Sequence, residues 1–287
     1  MTRRTVGVVT DPPGGSPVFH DRLGCSTISF RHLPLAAALR TIADLGFTEI
    51  DLGALPGVCD HVPFVLDTAA VDRVAKQVGA SGLRVRSVNG DIGDLNRPAD
   101  ESRRAHLERL LELTAAVGAQ ALVLPCGALS HDPVHTLDED LDLVATHLEW
   151  ASEAAHAAGL ALWTESLHVH RLCHDLARAT RLTARLAPDV GIVMDFSHLV
   201  AAGADPVAFV RLFGHRIAHV HLRDAVAGDI NLSIGCGAVD FGAGFAALAA
   251  HGYRGHFSLE LETRDITDTE RPAAAVAAAR LLSPLIR

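Results

Sequence analysis

The chain has 287 residues, of which 49% are hydrophobic and 21% are charged, and its formal net charge is −9. This composition supports a large core, and the length suits one barrel domain or two smaller domains. The acidic balance, with no basic run beyond Arg3–Arg4, argues against a protein that binds nucleic acid.

The first segment, residues 1–20, is rich in proline and glycine and is predicted to be an N-terminal tail or a barrel cap. It lacks the apolar centre of a signal peptide, and no stretch of the chain is apolar over the length of a bilayer. The cysteines are odd in number, scattered and without a CxxC pair, which is typical of a reducing compartment. A cytoplasmic protein with no membrane partner is therefore expected. The cysteines are Cys25, Cys59, Cys126, Cys173 and Cys236.

One arrangement recurs along the chain: a helix-like segment ends at a glycine and leads directly into an apolar run. Leu35, Leu39 and Ile42, for example, recur with the spacing of one helix face. Glycine after a helix adopts the left-handed conformation without a steric penalty, so each of these glycines is predicted to end a helix. The glycines are Gly46, Gly82, Gly118, Gly159, Gly214 and Gly252.

Each of these glycines precedes a short, continuous apolar run, as expected of a strand that is buried on both faces. Two further runs, "LGCSTISF" and "VGIVMDF", bring the number of predicted strands to eight. Eight strand–helix units in about 260 residues predict an α/β protein with a single (β/α)8 TIM barrel over residues 21–287. The alternative, a doubly wound open sheet, is disfavoured because no glycine-rich dinucleotide turn is visible.

Polar side chains end the last four predicted strands, where a barrel carries its reactive groups. Strand five ends at Glu165 and strand six at Asp195. Strand seven offers His219, His221 and Asp224, and strand eight offers Glu260 and Glu262. Because consecutive strands place these groups at one rim, several carboxylates and an imidazole are expected to lie close together.

Buried carboxylates that converge in this way repel one another unless a cation lies between them. Each residue alone is explained as a helix cap or a loop residue, but the set on consecutive strands predicts one divalent metal ion. Ligation by several oxygens and one histidine favours Mn²⁺, Mg²⁺ or Co²⁺ over Zn²⁺.

The motifs at these strand ends resemble the sugar phosphate isomerase/epimerase family within the xylose isomerase-like TIM barrels. The resemblance covers nearly all of residues 23–285 and rests on "TESLH", "MDFSH", "HVHLRD", "LSIGCGAVDF" and "YRGHFSLELE". It implies a xylose isomerase-like barrel domain. It also implies that Glu165, Asp195, His221 and Glu260 are metal ligands, and that His198 contacts substrate or a metal-bound water.

The same superfamily contains apurinic endonucleases with three zinc ions, and "HVPF" at His61 resembles one of their motifs. Asp229 could match a further ligand. Two of their histidines are missing, because this chain has "LVLPCG" after strand four and Asn231 after strand seven. A nuclease is therefore disfavoured, in agreement with the acidic charge.

Several other side chains are candidates for binding substrate: His61, His168, His198, Arg223 and Glu262. His170 and His174 are predicted to be solvated or to begin a helix. His219 shares a strand face with His221 and is predicted to be a core histidine, with Trp163 inside the barrel.

Together these features predict a metal-dependent isomerase or epimerase that acts on a small sugar, ketose or cyclitol through an enediolate. Glu165 and Glu260 are the predicted acid/base pair. The alternative is a metal-dependent lyase that expels a β-hydroxyl from a related polyhydroxylated carbonyl compound. An apurinic endonuclease and a non-catalytic carbohydrate-binding barrel are weaker alternatives. A small-molecule substrate is expected, no motif indicates that it carries phosphate, and a homo-oligomer is compatible with the sequence.

Overall fold

The main sheet of the computed structural model, which describes residues 19–287, contains eight parallel strands. Its order is β1-β10-β7-β6-β5-β4-β3-β2, and two further strands, β8 and β9, form a separate antiparallel hairpin. The strands are β1 Leu23–Cys25, β2 Glu49–Ala54, β3 Arg84–Gly90, β4 Ala121–Pro125, β5 Ala161–Glu165, β6 Gly191–Asp195, β7 Ile217–Leu222, β8 Asp224–Val226, β9 Asp229–Leu232 and β10 Phe257–Leu259. The predicted (β/α)8 barrel is confirmed.

The two end strands of this sheet, β1 and β2, approach each other and nearly close the barrel. A Cβ atom at Gly24 would lie 2.8 Å from the carbonyl oxygen of Glu49, so only glycine allows the two backbones to come this close. The predicted tail or cap of residues 1–20 lies outside the described residues, except for its last two positions.

Helices alternate with the strands and cover the outside of the barrel. Six of them begin at an aspartate whose side chain accepts backbone N–H groups, as at Asp67 and Asp195, and Thr136 forms a capping box with Glu139. The α-helices are α1 Leu35–Asp44, α2 Thr68–Ser81, α3 Glu101–Ala116, α4 Leu137–Ala157, α5 Leu176–Thr183, α6 Phe196–Ala201, α7 Pro206–Phe213, α8 Phe241–Ala250 and α9 Arg271–Leu282, with short 3-10 helices at Thr27–Phe30 and Ser283–Leu285. No helix of residues 19–287 is long and apolar enough to cross a membrane.

Five of the six glycines predicted to end helices have positive φ angles, between 69° and 95°. Gly214 also follows the end of a helix, α7, but the expected left-handed conformation is wrong there, because φ is −51° and the backbone stays in the right-handed region. Glycine is needed there for space, because a Cβ atom would lie 2.6 Å from the carbonyl oxygen of Val210 and 3.0 Å from the ring of His251.

The main apolar core lies between the outer faces of the strands and the helices, as with Leu39, Val88 and Leu122. A second, smaller cluster fills the barrel interior and contains Trp163, as predicted. Because the interior is packed, the polar rim at the carboxyl ends of the strands is the part of the barrel where a ligand can bind.

Candidate active site

Four buried side chains from four consecutive strand ends meet at the rim: Glu165, Asp195, His221 and Glu260. One ligand atom of each lies within 4.8 Å of those of the others. His221 Nδ1 is 3.3 Å from Glu165 Oε1 and 3.5 Å from Glu260 Oε2. Asp195 lies beside His221 in the register of β6 and β7. The structure therefore brings together the four residues that the resemblance implies are ligands.

This set of atoms fits a divalent cation. Oxygen ligands lie about 2.1 Å from ions such as Mg²⁺, so two ligands on one ion are at most about 4.2 Å apart. All four ligand atoms lie within 4.8 Å of one another, close to this limit, so small side-chain movements would complete the site. Asp195 can take part while it caps α6, because Oδ1 accepts the N–H of Ser197 at 2.6 Å and Oδ2 points to the cluster.

Arg223 adds a positive charge to the same cluster. Its Nη2 lies 3.0 Å from Asp195 Oδ2 and 2.5 Å from Glu260 Oε2, and its Nη1 lies 2.8 Å from Glu262 Oε1. Arg31 binds the other oxygen of Glu262 at 2.6 Å. Arg223 and Glu262, both predicted to bind substrate, also line the cavity above the cluster. Each already takes part in ion pairs, so a ligand that contacts them would share them with these partners.

The charges of the cluster shift the pKa values of its members. Burial raises the pKa of Glu260 to about 7, with a further increase from Glu165 and Asp195, although His221 and Arg223 oppose the rise. Burial would lower the pKa of His221, but the nearby carboxylates, Glu260 first, hold it well above its usual range. The metal-free cluster therefore holds protons near neutral pH that a metal ion would displace.

Asp51, which the sequence analysis missed, forms a second layer deeper in the barrel. Its Oδ2 accepts a hydrogen bond from His219 Nε2 at 2.8 Å and lies 3.5 Å from His221 Nε2, and its Oδ1 accepts the hydroxyl of Ser87 at 2.8 Å. Burial would raise the pKa of Asp51, but the two histidines hold it well below its usual range. His219 is the predicted core histidine, and its ring stacks on Trp163.

Asn89, at the end of β3, is the other residue of the cluster that the sequence analysis missed. Its side-chain N–H lies 3.3 Å from Glu260 Oε1, so both oxygens of that glutamate have a donor. A clue to Asp51 was available, because Glu49 and Asp51 alternate within a run that is otherwise apolar. For Asn89 the sequence offered no comparable signal.

His168 and His198 lie on the other side of Glu165. Their rings are 3.8 Å apart, and His168 Nε2 is 4.0 Å from Glu165 Oε2. The backbone N–H of Val169 donates to His198 Nδ1 at 3.3 Å, so the neutral His198 ring carries its proton on Nε2. Burial and neighbouring cationic groups keep the pKa of both rings well below the usual value, so both are neutral.

Three other histidines named in the sequence analysis lie outside the cluster of potential metal ligands. His61 lies apart from the cluster: its Nε2 is 2.9 Å from the carbonyl oxygen of Leu33 and its Nδ1 is 3.2 Å from Cys59 Sγ, so neither nitrogen is available to a ligand there. His170 is exposed, as predicted, but it also lines the cavity. His174 stacks on His131 at 3.9 Å.

A cavity of about 1140 Å³ lies above the cluster. Glu165 and Glu260 line it, whereas Asp195 and His221 lie behind them and do not. His168 also lines the cavity. Within residues 19–287, no group of potential metal ligands includes His61 or Asp229, the two residues that resemble endonuclease ligands. The geometry therefore leaves the two glutamates of the cluster in contact with whatever fills the cavity.

Comparison with known proteins gives a consistent set of relatives. The chain is 26% identical over 219 residues to 3-dehydro-D-guloside 4-epimerase of Escherichia coli. This match covers 71% of this chain and 80% of that protein. It is 26% identical over 139 residues to inosose dehydratase of Lacticaseibacillus casei, a match that covers 45% of this chain and 46% of the dehydratase. The chain thus spans about half the length of that relative.

Among solved structures, the fold is similar to the IolI protein with a bound zinc atom. The TM-score is 0.74 at 18% identity, and the match covers 92% of this chain and 99% of the other. Residues 39–285 match the family described as the xylose isomerase-like TIM barrel, which is most of the chain. The chain belongs to the xylose isomerase-like TIM barrel family.

Proposed function

We propose that this protein is a metal-dependent isomerase or epimerase that acts on a small sugar, ketose or cyclitol through an enediolate. One observation carries the proposal: Glu165 and Glu260 both belong to the cluster that fits a metal ion and both line the cavity. Carboxylates in that position can move a proton at a carbon next to a carbonyl group. The named activity of the Escherichia coli relative, a 4-epimerase, supports the same reaction class.

Glu165, Asp195, His221 and Glu260 would hold the ion, and its chemistry when bound is that of a Lewis acid that polarises a carbonyl oxygen. The oxygen-rich ligand set favours Mn²⁺, Mg²⁺ or Co²⁺ over Zn²⁺. The similar structure that contains zinc makes zinc the metal to test against this preference. Elemental analysis of the purified protein is expected to find about one divalent ion per chain, because the other two groups of potential ligands within residues 19–287 share His221 or Glu165 with this cluster.

The two glutamates differ in the hydrogen bonds that their carboxylate oxygens accept. Glu165 Oε2 accepts no hydrogen bond from the described residues, and His168 Nε2 lies 4.0 Å from it. That oxygen is therefore free to take a proton from a substrate. Glu260 has donors on both oxygens, from Asn89 and Arg223, and burial raises its pKa to about 7 in the metal-free cluster. A bound metal ion would favour the ionised form, which is the form that takes a proton from a substrate.

A lyase is the second candidate, and the similarity to inosose dehydratase favours it. The first step is shared, because a dehydratase also removes a proton beside a carbonyl group before a β-hydroxyl leaves. The departing hydroxyl needs an acid. His168 lines the cavity beside Glu165, where its neutral ring can hydrogen-bond to a substrate hydroxyl.

Incubation of the metal-loaded protein with a panel of keto sugars and inososes in D₂O distinguishes the two reactions. An isomerase or epimerase is expected to introduce deuterium at a carbon beside the carbonyl without loss of water. A lyase is expected to release water and give an unsaturated or deoxygenated carbonyl product. Excess chelator should abolish either reaction, and full activity in chelator would overturn the metal-dependent mechanism.

The remaining expectations follow the same proposal. The substrate is a small molecule, because the charge of −9 and the absence of the two endonuclease histidines oppose a nucleic-acid partner. The buried ligand set supports a catalyst over a non-catalytic carbohydrate-binding barrel. All five cysteines are unpaired, which supports a reducing, cytoplasmic location. Whether copies of the chain form a homo-oligomer can be measured by light scattering.

A further inference from the structure

The cavity above the cluster has a buried polar end and an exposed apolar end. Glu165, Arg223 and Glu260 form the buried end. The exposed end, which we call the apolar mouth, consists of Val58, Phe64, Val65 and Leu129. One ligand could therefore contact charged groups at its reacting part and apolar groups at its other part.

The apolar mouth is where exposed apolar side chains concentrate in this protein. Phe64 is 66% exposed and Val65 78% exposed. Of the eight large apolar side chains that are exposed within residues 19–287, four belong to the apolar mouth. Single exposed apolar residues are common on protein surfaces, but a group of them around a cavity indicates a binding site.

The size of the cavity also indicates a ligand larger than one sugar ring. Sites for drug-sized ligands are about 300–1,000 Å³, and this cavity is about 1140 Å³. A single sugar or cyclitol is smaller than a drug-sized ligand. Bound at the cluster, it would leave the apolar mouth without a partner.

An aromatic pair gives the chemistry of the missing part. The ring of Phe64 lies 5.5 Å from that of His106 on α3, at an angle of 49°. Burial lowers the pKa of His106, so its ring is neutral and adds no charge. Two nearby arginines already have partners, because Arg171 pairs with Asp91 at 2.7 Å and Arg109 pairs with Glu112. Phe64 and the neutral His106 therefore favour a flat, uncharged group beside them.

We propose that the apolar mouth binds the aglycone of a glycoside: a flat, uncharged ring attached to the sugar that reacts at the cluster. The proposal rests on the proposed function, since it places a sugar beside Glu165 and Glu260. It specifies the substrate as a keto-sugar glycoside with an aromatic substituent, in place of a free monosaccharide. Phe64 would stack on that ring and determine specificity without touching the reacting carbon.

Binding of matched glycosides tests this proposal. The probes are the methyl and phenyl β-glycosides of two keto-hexoses, which differ only in the aglycone within each pair. Calorimetry on the metal-loaded protein should give a phenyl glycoside an affinity about tenfold or more above that of its methyl partner, because the ring is removed from water. Phe64→Ala should remove most of this difference. Leu212→Ala, which truncates an exposed leucine of α7 outside the cavity, should leave it unchanged.

Each other result overturns the proposal. Equal affinities within both pairs, no binding of either phenyl glycoside, or a phenyl preference that survives Phe64→Ala would each exclude an aglycone at the apolar mouth. If light scattering shows a dimer that Phe64→Ala dissociates, and there is no phenyl preference, the surface is an interface between two copies. Because binding requires no turnover, a phenyl preference without deuterium exchange in D₂O would contradict the proposed reaction and leave this inference standing.

Discussion

Asp51 accepts a hydrogen bond from His219 Nε2 at 2.8 Å, and the same carboxylate oxygen lies 3.5 Å from His221 Nε2. The contact crosses the barrel interior, because β2 and β7 are not neighbours in the sheet. Asp51 therefore holds His219 by a hydrogen bond and faces His221 Nε2 from below, while His221 Nδ1 faces the carboxylates of the cluster. A carboxylate on the far side of a ligating imidazole orients the ring and increases its basicity.

Asp51→Asn is therefore expected to weaken metal binding by about 10- to 100-fold, as is typical when a partner of a ligating histidine is lost. Titration calorimetry with Mn²⁺ measures the affinity directly and does not depend on knowing the substrate. Asp44→Asn, at an exposed carboxylate of α1, is the matched control and should bind metal like the unchanged protein. Equal affinity in Asp51→Asn would show that Asp51 has no influence on the site.

The pH dependence of stability should reveal the metal-free cluster. The pKa of Glu260 rises from an ordinary value of 4.5 to about 7 on folding, so the folded state binds more protons than the unfolded state between these values. Stability present below about pH 4.5 is then lost as the pH rises through about 7. His221, whose pKa is raised well above 6.5, adds a loss in the same direction at higher pH.

Denaturant unfolding in excess chelator is expected to show a lower free energy of unfolding at pH 8 than at pH 5.5. Glu260→Gln cannot titrate at this position, so its decrease over the same interval should be smaller. The comparison of the two proteins separates this effect from the titration of other groups. A decrease that is identical in both would contradict the raised pKa of Glu260.

A pair of glycines in α8 tests the packing behind Asp195. A Cβ atom at Gly244 would lie 2.2 Å from the ring of Phe196, the residue that follows Asp195 in the chain. Gly244→Ala is therefore expected to lower the free energy of unfolding by about 1–3 kcal/mol, as overpacking of a core does. Gly242→Ala is the control in the same helix, because it is exposed and its nearest neighbour, an oxygen of Asp240, is 3.4 Å away.

Alanine favours a helix over glycine by about 1 kcal/mol, so Gly242→Ala should be neutral or stabilising. Chemical denaturation of both variants gives the two free energies under one set of conditions. If Gly244→Ala is as stable as Gly242→Ala, the close contact with Phe196 is not present in the protein.

The barrel and its rim could be predicted from the sequence because both depend on local pattern. Buried parallel strands are short apolar runs, and Glu165, Asp195, His221 and Glu260 each end or follow such a run. Since all parallel strands of a barrel present their carboxyl ends at one rim, residues far apart in sequence become neighbours. No knowledge of individual contacts is needed for that inference.

The features that could not be predicted from the sequence depend on contacts between distant parts of the chain. Asp51 meets His219 from the opposite side of the barrel, and no periodicity indicates which interior side chain faces which. His61 matches a motif, yet its ring is held by Leu33 and Cys59, which the motif does not specify. Gly214 follows a helix like the other glycines, but its close neighbour His251 comes from the next helical unit.

The central claim, that Glu165 and Glu260 transfer protons at a metal-bearing site, is tested most directly by deuterium exchange in Glu165→Gln and Glu260→Gln. Glutamine preserves the size of each side chain and removes its basic oxygen. Loss of a general base costs about 10²- to 10⁴-fold in rate, so each variant should lose net conversion by that factor. Glu153→Gln, an exposed position on α4, is the control and should retain full activity.

The measurement is carbon-bound deuterium by NMR, with each epimer of the substrate as the starting material and with the metal content of every variant determined. If the glutamates serve opposite faces of the substrate, one variant should still exchange with one epimer, and the pattern should reverse with the other. Variants that retain metal and still convert substrate at the unchanged rate would contradict the two-glutamate mechanism.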